Sequence, residues 1–208
     1  MSKVLLINGS PHEKGCTYTA LAEASSVLAK HGIETEIMWI GNKPVSGCIA
    51  CGSCAGTGVC VFGDDKVNYV VSELDTIDGL IIGTPVYYAS ASGQITSFCD
   101  RLFYTAGRRM AGKLAATVVS CRRGGASAAF DQINKYFTMS NMPVVSSQYW
   151  NQVHGSHPSD VEKDEEGLQT MRTLAENMAW LLSCIEAGKK AGIEKPVYEP
   201  HLWTNFIR

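Results

Sequence analysis

The residues best equipped for chemistry fall into two clusters. One is Asn8-Gly9-Ser10-Pro11-His12-Glu13-Lys14-Gly15-Cys16-Thr17, set between the apolar run Val4 to Ile7 and a stretch of helical periodicity. A strand, a loop of small and hydroxylated residues, and a helix start direct unpaired backbone N–H groups and the positive end of a helix dipole at one point. That arrangement holds anions, phosphate above all. The loop has neither G-x-G-x-x-G nor a terminal Gly-Lys-Ser/Thr, which weighs against dinucleotide and nucleoside triphosphate. What remains is a monophosphate cradle, with the Ser10 and Thr17 hydroxyls and the amides near Gly15 and Cys16 as donors. The alternative is a plain turn capped by Thr17. The other cluster is Cys48, Cys51, Cys54 and Cys60, spaced C-x2-C-x2-C-x5-C, with glycine at 47, 52, 56 and 58. No charged and apolar leader opens the sequence, which points to the cytoplasm. There, such cysteines are thiols, a metal site or a redox centre rather than disulfides.

The hydrophobic pattern supplies a scaffold for both clusters. Val4 to Ile7 reads as a first strand, followed by a helix with Leu21, Ala24, Leu28 and Ala29 on one face that ends near His31-Gly32. Glu34 to Ile40 gives a second strand, and periodicity then fails from Gly41 to Gly63. Asp64-Asp65 offer an N-cap for a helix to about Leu74, and Leu80 to Thr84 is an apolar strand that Pro85 should stop. A helix opens between Ser90 and Gly93, with Ile95, Phe98, Cys99, Leu102 and Phe103 on its apolar face. Ala115 to Ser120 is a fourth strand, Arg122 to Gly125 a loop and Ala126 to Phe137 a helix. Pro143 to Trp150 is a fifth strand, and a long helix runs from about Asp160 to Ala187. Five strands alternating with five helices predict one doubly wound α/β domain, a parallel sheet with helices on both faces.

At 208 residues, 45% hydrophobic and 18% charged, the chain suits a single domain of about residues 1–190. A formal charge of −2 gives no attraction for nucleic acid or an anionic membrane surface, and no apolar stretch approaches bilayer length. The acidic run Glu162 to Glu166 reads as the solvated first turn of a helix. Doubly wound sheets bind ligands beyond the carboxyl ends of their strands. The loops Ser10 to Thr17, Pro85 to Gly93 and Cys121 to Gly125 should therefore share one site. In the second of these, a proline and two tyrosines offer flat apolar contact and backbone polar groups to a planar heteroaromatic ligand.

Asn8-Gly9-Ser10-Pro11…Gly15-Cys16-Thr17, Gly83-Thr84-Pro85-Val86-Tyr87 and the glycine-bearing Ser120 to Gly125 loop, in this order, resemble the flavodoxin-like NAD(P)H-dependent FMN reductases over residues 1 to about 150. The resemblance implies a flavodoxin-like five-stranded sheet and an FMN whose phosphate lies on the first loop. Its ring would lie against Pro85, Val86, Tyr87 and Tyr88, with an edge bordered by Ser120, Arg122, Gly124 and Gly125. The family carries arginine two residues after the loop serine and asparagine or serine before the threonine. His12 and Cys16 stand at those cofactor positions here. A cation at Arg122 or Arg123 would stabilise anionic reduced flavin; the alternative is solvated loop arginines or a subunit contact. His154, placed after the fifth strand, is a candidate proton donor or substrate contact, or a surface histidine.

Within that resemblance, the spacing of Cys48, Cys51, Cys54 and Cys60 looks like that of the iron–sulfur flavoproteins, in which four thiolates hold a cluster, here a 4Fe–4S cluster, near the flavin. The alternative is a cluster-free reductase whose loop cysteines are small, partly buried side chains or redox thiols. Structural zinc fits less well, because four-cysteine zinc sites usually join two separated knuckles. The expected function is an oxidoreductase that moves electrons from NAD(P)H through FMN to a quinone, a flavin or another small acceptor. Two alternatives are an iron–sulfur flavoprotein relaying electrons between cluster and FMN, and an FMN-binding carrier without turnover. The resemblance also implies a homodimer or homotetramer. The insertion spans residues 44–63, and the tail 191–208, with Tyr198, Leu202, Trp203 and Phe206, is expected to dock on its own domain or on a partner subunit.

Overall fold

The structure is a computed structural model that describes residues 2–63 and 66–206. In chain order its elements are β1 (Lys3–Asn8), α1 (Cys16–Lys30), β2 (Glu34–Trp39), the single turn α2 (Cys54–Thr57), α3 (Lys66–Glu73), β3 (Gly79–Tyr87), β4 (Ser90–Ala91), α4 (Gly93–Ala106), β5 (Leu114–Cys121), α5 (Ala126–Met139), β6 (Gln152–His154), α6 (Pro158–Val161) and α7 (Glu165–Lys190). The strands lie in the order β2-β1-β3-β5-β6, every pair along this path parallel, and β4 adds an antiparallel partner to β3.

This is the doubly wound sheet expected from the pattern, and its strands alternate between two cores as a pleat requires. Leu5 and Ile7 of β1 pack with side chains of α3, α4 and α5, such as Val70, Phe98 and Ile133. Val4 and Leu6 pack with Leu21 and Leu28 of α1 and Leu174 and Met178 of α7. Each such fully buried aliphatic side chain contributes about 1.5–3 kcal/mol. β5 is buried at every position, as a central strand covered on both faces must be. The strand order reverses between β1 and β3, so the crevice beyond their carboxyl ends is where this architecture takes a ligand.

The structure corrects four expectations. Pro85 does not stop the third strand. β3 runs on to Tyr87 and turns back into β4 through Tyr88 and Ala89, whose φ values are 49° and 58°. The run Pro143 to Trp150 is not a strand: it pairs with β5 through an isolated bridge, Ala115 to Val144, and the edge strand is the three-residue β6. Between those points the chain is hooked to α7 instead. The Asn177 amide donates to the Ser146 carbonyl at 2.9 Å, and the Thr173 hydroxyl to Gln148 Oε1 at 2.8 Å. His154 accordingly lies at the end of β6 rather than in a loop after a strand. The last long helix is broken, because Asp164 caps α7 by accepting the Gly167 amide at 3.0 Å and also accepts the His154 amide at 2.6 Å. The Asp64-Asp65 cap expected for α3 lies outside the described residues.

No helix among the described residues is long and apolar enough to cross a membrane. Beyond α7 the chain carries no helix or strand up to residue 206, and Leu202, Trp203 and Phe206 are exposed. The tail meets its own domain through Lys195 Nζ, which donates to the Ala111 carbonyl, and through the Arg108 guanidinium, 5.6 Å from the Trp203 ring centroid.

Candidate functional site

Strands β1, β3 and β5 carry polar residues toward their carboxyl ends although they lie in the middle of the sheet. Asn8, Ser10, Thr17, Thr84, Ser92 and Ser120 are all buried. Buried polar groups are costly unless paired, so these ends must be tied together. Asn8 Nδ2 donates to the Glu13 carbonyl at 2.9 Å and its Oδ1 accepts the Ser10 amide at 3.1 Å, which fixes the curl of the first loop. Ser10 Oγ accepts the His12 amide at 3.1 Å, and Trp39 Nε1 donates to the Ser10 carbonyl at 2.7 Å. Thr17 and Ser120 share a hydroxyl–hydroxyl hydrogen bond of 2.8 Å, linking the first loop to the end of β5. Ser92 Oγ donates to the Gly9 carbonyl at 3.0 Å, and Thr84 Oγ1 accepts the Ser92 amide at 3.1 Å.

Two glycines let these segments approach. A Cβ on Gly9 would sit 2.7 Å from Ile95 and 2.8 Å from the Gly83 carbonyl, and one on Gly83 would sit 2.8 Å from Leu21 and from Thr17. α1 starts at Gly15 with no side-chain cap and no acid in its first turn, so its first amides stay open at the loop. α5 starts likewise at Gly125, again without a side-chain cap. A Cβ on Gly125 would meet Ala89 Cα at 2.7 Å and Val86 Cγ1 at 3.0 Å, so the loop after β5 rests on the β3–β4 hairpin. At that hairpin Tyr87 is half exposed and Tyr88 wholly exposed.

The expected cofactor residues are thus brought to one edge, though not all alike. Ser10, Thr17 and Ser120 converge, and Pro85, Val86 and Gly125 form an adjoining wall. His12 is exposed beside Ser10, whereas the Cys16 thiol turns away and donates to the Gly155 carbonyl at 3.6 Å, and burial raises its pKa. Arg122, Arg123 and Gly124 are exposed. His154 pairs with Cys121 at the end of β6, its Nδ1 3.7 Å from Asp164 Oδ2. Asn8, Gly9, Thr84 and Ser92 belong to the site as well; they fall inside the motifs and loops read from the sequence, which gives none of them a role of its own. A polar residue closing an apolar run, as Asn8 does, is the signal that would have marked them.

The cysteine loop lies along the outer side of α4, which starts at the flank of the first site. Cys48, Cys51, Cys54 and Cys60 line one cavity of ≈ 130 Å³, together with Ile49, Val61, Phe62, Arg101 and Tyr104. Cys54 Sγ donates to the Tyr104 carbonyl at 3.8 Å, and Arg101 Nε donates to Cys60 Sγ at 3.2 Å. Asn68 clamps the backbone of Cys60 from both sides, accepting its amide and donating to its carbonyl, each at 2.8 Å. The Ser53 hydroxyl and amide hold the Cys51 thiol below the usual thiol range. All four thiols are free, and among the described residues no three of His, Cys, Asp or Glu stand close enough to grip a metal ion as they are. The donor set and its apolar enclosure fit a thiolate-ligated cluster in kind. Arg101 and Asn68 were not foreseen. An arginine in the stripe Ile95, Phe98, Leu102 was the available cue.

Comparison with known proteins bears on the fold and the family. A family profile described as NADPH-dependent FMN reductase matches residues 2–156. An iron–sulfur flavoprotein of Methanocaldococcus jannaschii is 31% identical over 194 residues, covering 88% of this chain and 99% of that protein. Two solved structures share the fold: an apo NADH:FMN oxidoreductase, with TM-score 0.65 and 18% identity over 87% of this chain and 90% of that one, and a flavodoxin from the domain Archaea, with TM-score 0.59 and 15% identity over 87% and 99%. With a flavodoxin-like sheet and a profile match across most of its length, the chain belongs to the NADPH-dependent FMN reductase family, among relatives that are iron–sulfur flavoproteins.

Proposed function

We propose that this protein is an FMN-containing oxidoreductase that exchanges electrons between its flavin and a 4Fe–4S cluster held by Cys48, Cys51, Cys54 and Cys60, and passes them to a small acceptor. The observation that carries this reading is that all four cysteines line one cavity, on a domain whose strand ends form a separate anion cradle. The open amides at the start of α1, with the Ser10, Thr17 and Ser120 hydroxyls, hold the phosphate, and the glycines leave the room a Cβ would fill. Val86, Tyr87 and Tyr88 offer the ring its flat contact, and Gly125 sets their distance from the loop after β5. When bound, FMN supplies the chemistry the side chains lack, accepting hydride from a reduced nicotinamide and releasing electrons singly or in pairs. His154, its Nδ1 3.7 Å from Asp164 Oδ2, is the candidate proton donor or substrate contact at the sheet edge. The exposed tail aromatics favour a homodimer or homotetramer in which a second copy covers them.

Anaerobic purification followed by mixing with NADPH or NADH tests the reading. Flavin, iron and acid-labile sulfide should co-purify, and either nucleotide should bleach the flavin absorbance. If dithionite bleaches the flavin and neither nucleotide does, the nicotinamide dependence falls and the relay between cluster and FMN stands. Absence of iron and sulfide retires the cluster.

A further inference from the structure

Arg101 is among the largest side chains wholly enclosed by the protein, with 1% exposure. It stands on α4 among Ile95, Phe98 and Leu102, and its head group reaches the cysteine loop. Nε donates to Cys60 Sγ at 3.2 Å, a terminal nitrogen donates to the Phe62 carbonyl at 3.4 Å, and the guanidinium lies 4.7 Å from the Phe62 ring centroid. Fastening this segment does not require the contact to sulfur. Asn68 already holds the Cys60 backbone by two hydrogen bonds and reaches the Phe62 and Gly63 carbonyls as well. A neutral thiol is a weak acceptor, whereas a metal-bound thiolate is a charged one that a guanidinium N–H serves well. The donor is aimed where negative charge would reside.

We propose that Arg101 is a positioning residue for the cluster: it directs Cys60 Sγ to the cavity and, by donating to that sulfur, makes the cluster easier to reduce. This rests on the cluster reading above. Reduction adds one electron to the cluster and makes or breaks no bond at the protein. The added charge spreads onto the sulfurs, and a donor and a delocalised cation beside one of them, sheltered from water, stabilise the reduced state more than the oxidised one. On the other side of the cavity the Ser53 hydroxyl and amide donate to Cys51.

The test is an anaerobic dithionite titration, followed by electron paramagnetic resonance, of the full-length protein and its Arg101→Gln and Arg101→Lys variants, with FMN, iron and sulfide measured on each. Arg101→Gln is expected to keep its FMN and the flavin midpoint unchanged. Its cluster equilibrium should shift about tenfold toward the oxidised form, 59 mV for one electron, or the cluster should be lost while FMN is retained. Arg101→Lys should recover most of the shift. A cluster midpoint unchanged in Arg101→Gln at full iron content overturns the proposal. Should Arg101→Gln fail to fold, the unsubstituted protein decides. With arginine labelled in heavy nitrogen, the reduced cluster should show a hyperfine coupling to one arginine nitrogen, and its absence overturns the proposal. If the unsubstituted protein takes up no iron, the cluster reading and this inference fall together; iron uptake without shift or coupling removes this inference alone.

Discussion

The two ends of α4 are built on opposite plans. At its start, around Ser92, the buried hydroxyls of Thr17, Thr84, Ser92 and Ser120 are hydrogen-bonded, and the glycines at 9, 83 and 125 leave no slack. About 14 Å further along the helix, beside Arg101, the loop it meets has exposed Cys48 and Cys51, and its glycines 52, 56 and 58 have nothing within 4 Å of an added Cβ. The first region has its shape fixed by the protein's own hydrogen bonds before any ligand arrives. The second has its cysteines gathered round a cavity but not drawn together, so its own contacts do not fix its shape. The molecule thus carries one site fixed by its own contacts and one cysteine-lined cavity that is not.

That contrast is broken most directly by a methyl group. Gly9→Ala places a Cβ against the Gly83 carbonyl, which cannot move without parting β1 from β3. It should cost about 1–3 kcal/mol in urea unfolding and abolish FMN retention through gel filtration. Gly56→Ala, in the open turn α2, should leave both unchanged within error. Equal behaviour of the two variants would mean that the strand ends are as yielding as the cysteine loop.

A deletion within the network has a smaller effect. Thr17→Val keeps the shape of the side chain but leaves the buried Ser120 hydroxyl without its 2.8 Å partner. An unsatisfied buried hydroxyl costs about 1–3 kcal/mol, so stability should fall by that order and FMN should bind more weakly by fluorescence titration. Unaltered FMN affinity would show that Thr17 serves the fold alone. Metal removal probes the other half. Prolonged anaerobic chelation should leave FMN content and the melting midpoint nearly unchanged, while trypsin gains access at Lys43, Lys66 or both. A collapse of the midpoint on chelation would show that the sheet also depends on the cluster.

The legibility of the sequence follows the same division. β1, its loop and α1 were readable because strand period, small residues and helix start all agree there, and each of those choices is local. The hairpin after Pro85 was not, because its turn places a tyrosine and an alanine at positive φ where glycine or asparagine is the usual sign. Pro143 to Trp150 has the composition of a strand, yet the side chains of Thr173 and Asn177 hold it to α7, and no local pattern announces a partner some thirty residues away. The cysteine spacing indicated a shared ligand but gave no path for the loop. Asn68 and Arg101, which provide that path, belong to helices and look from the sequence like ordinary surface and stripe positions.

The mildest test asks whether the cysteine loop is open enough for its own chemistry to show. In chelated protein Cys51 is exposed, and the Ser53 hydroxyl and amide hold its pKa below the ordinary 9.0, while burial raises Cys99 and Cys121 above it. At neutral pH the lowered value enlarges the thiolate fraction of Cys51, and the raised values shrink those of the other two; the gap narrows as pH climbs toward the ordinary value and every exposed thiol ionises. Iodoacetamide at pH 7 should therefore label Cys51 well ahead of Cys99 and Cys121 by peptide mass spectrometry. Ser53→Ala should slow Cys51 by a few fold at pH 7 and hardly at pH 9.5, on the order of the thiolate fraction it loses. A Cys51 rate indifferent to Ser53→Ala at both pH values would mean that exposure, rather than the Ser53 donors, sets reactivity in this loop. The comparison between the two ends of α4 would then rest on packing alone.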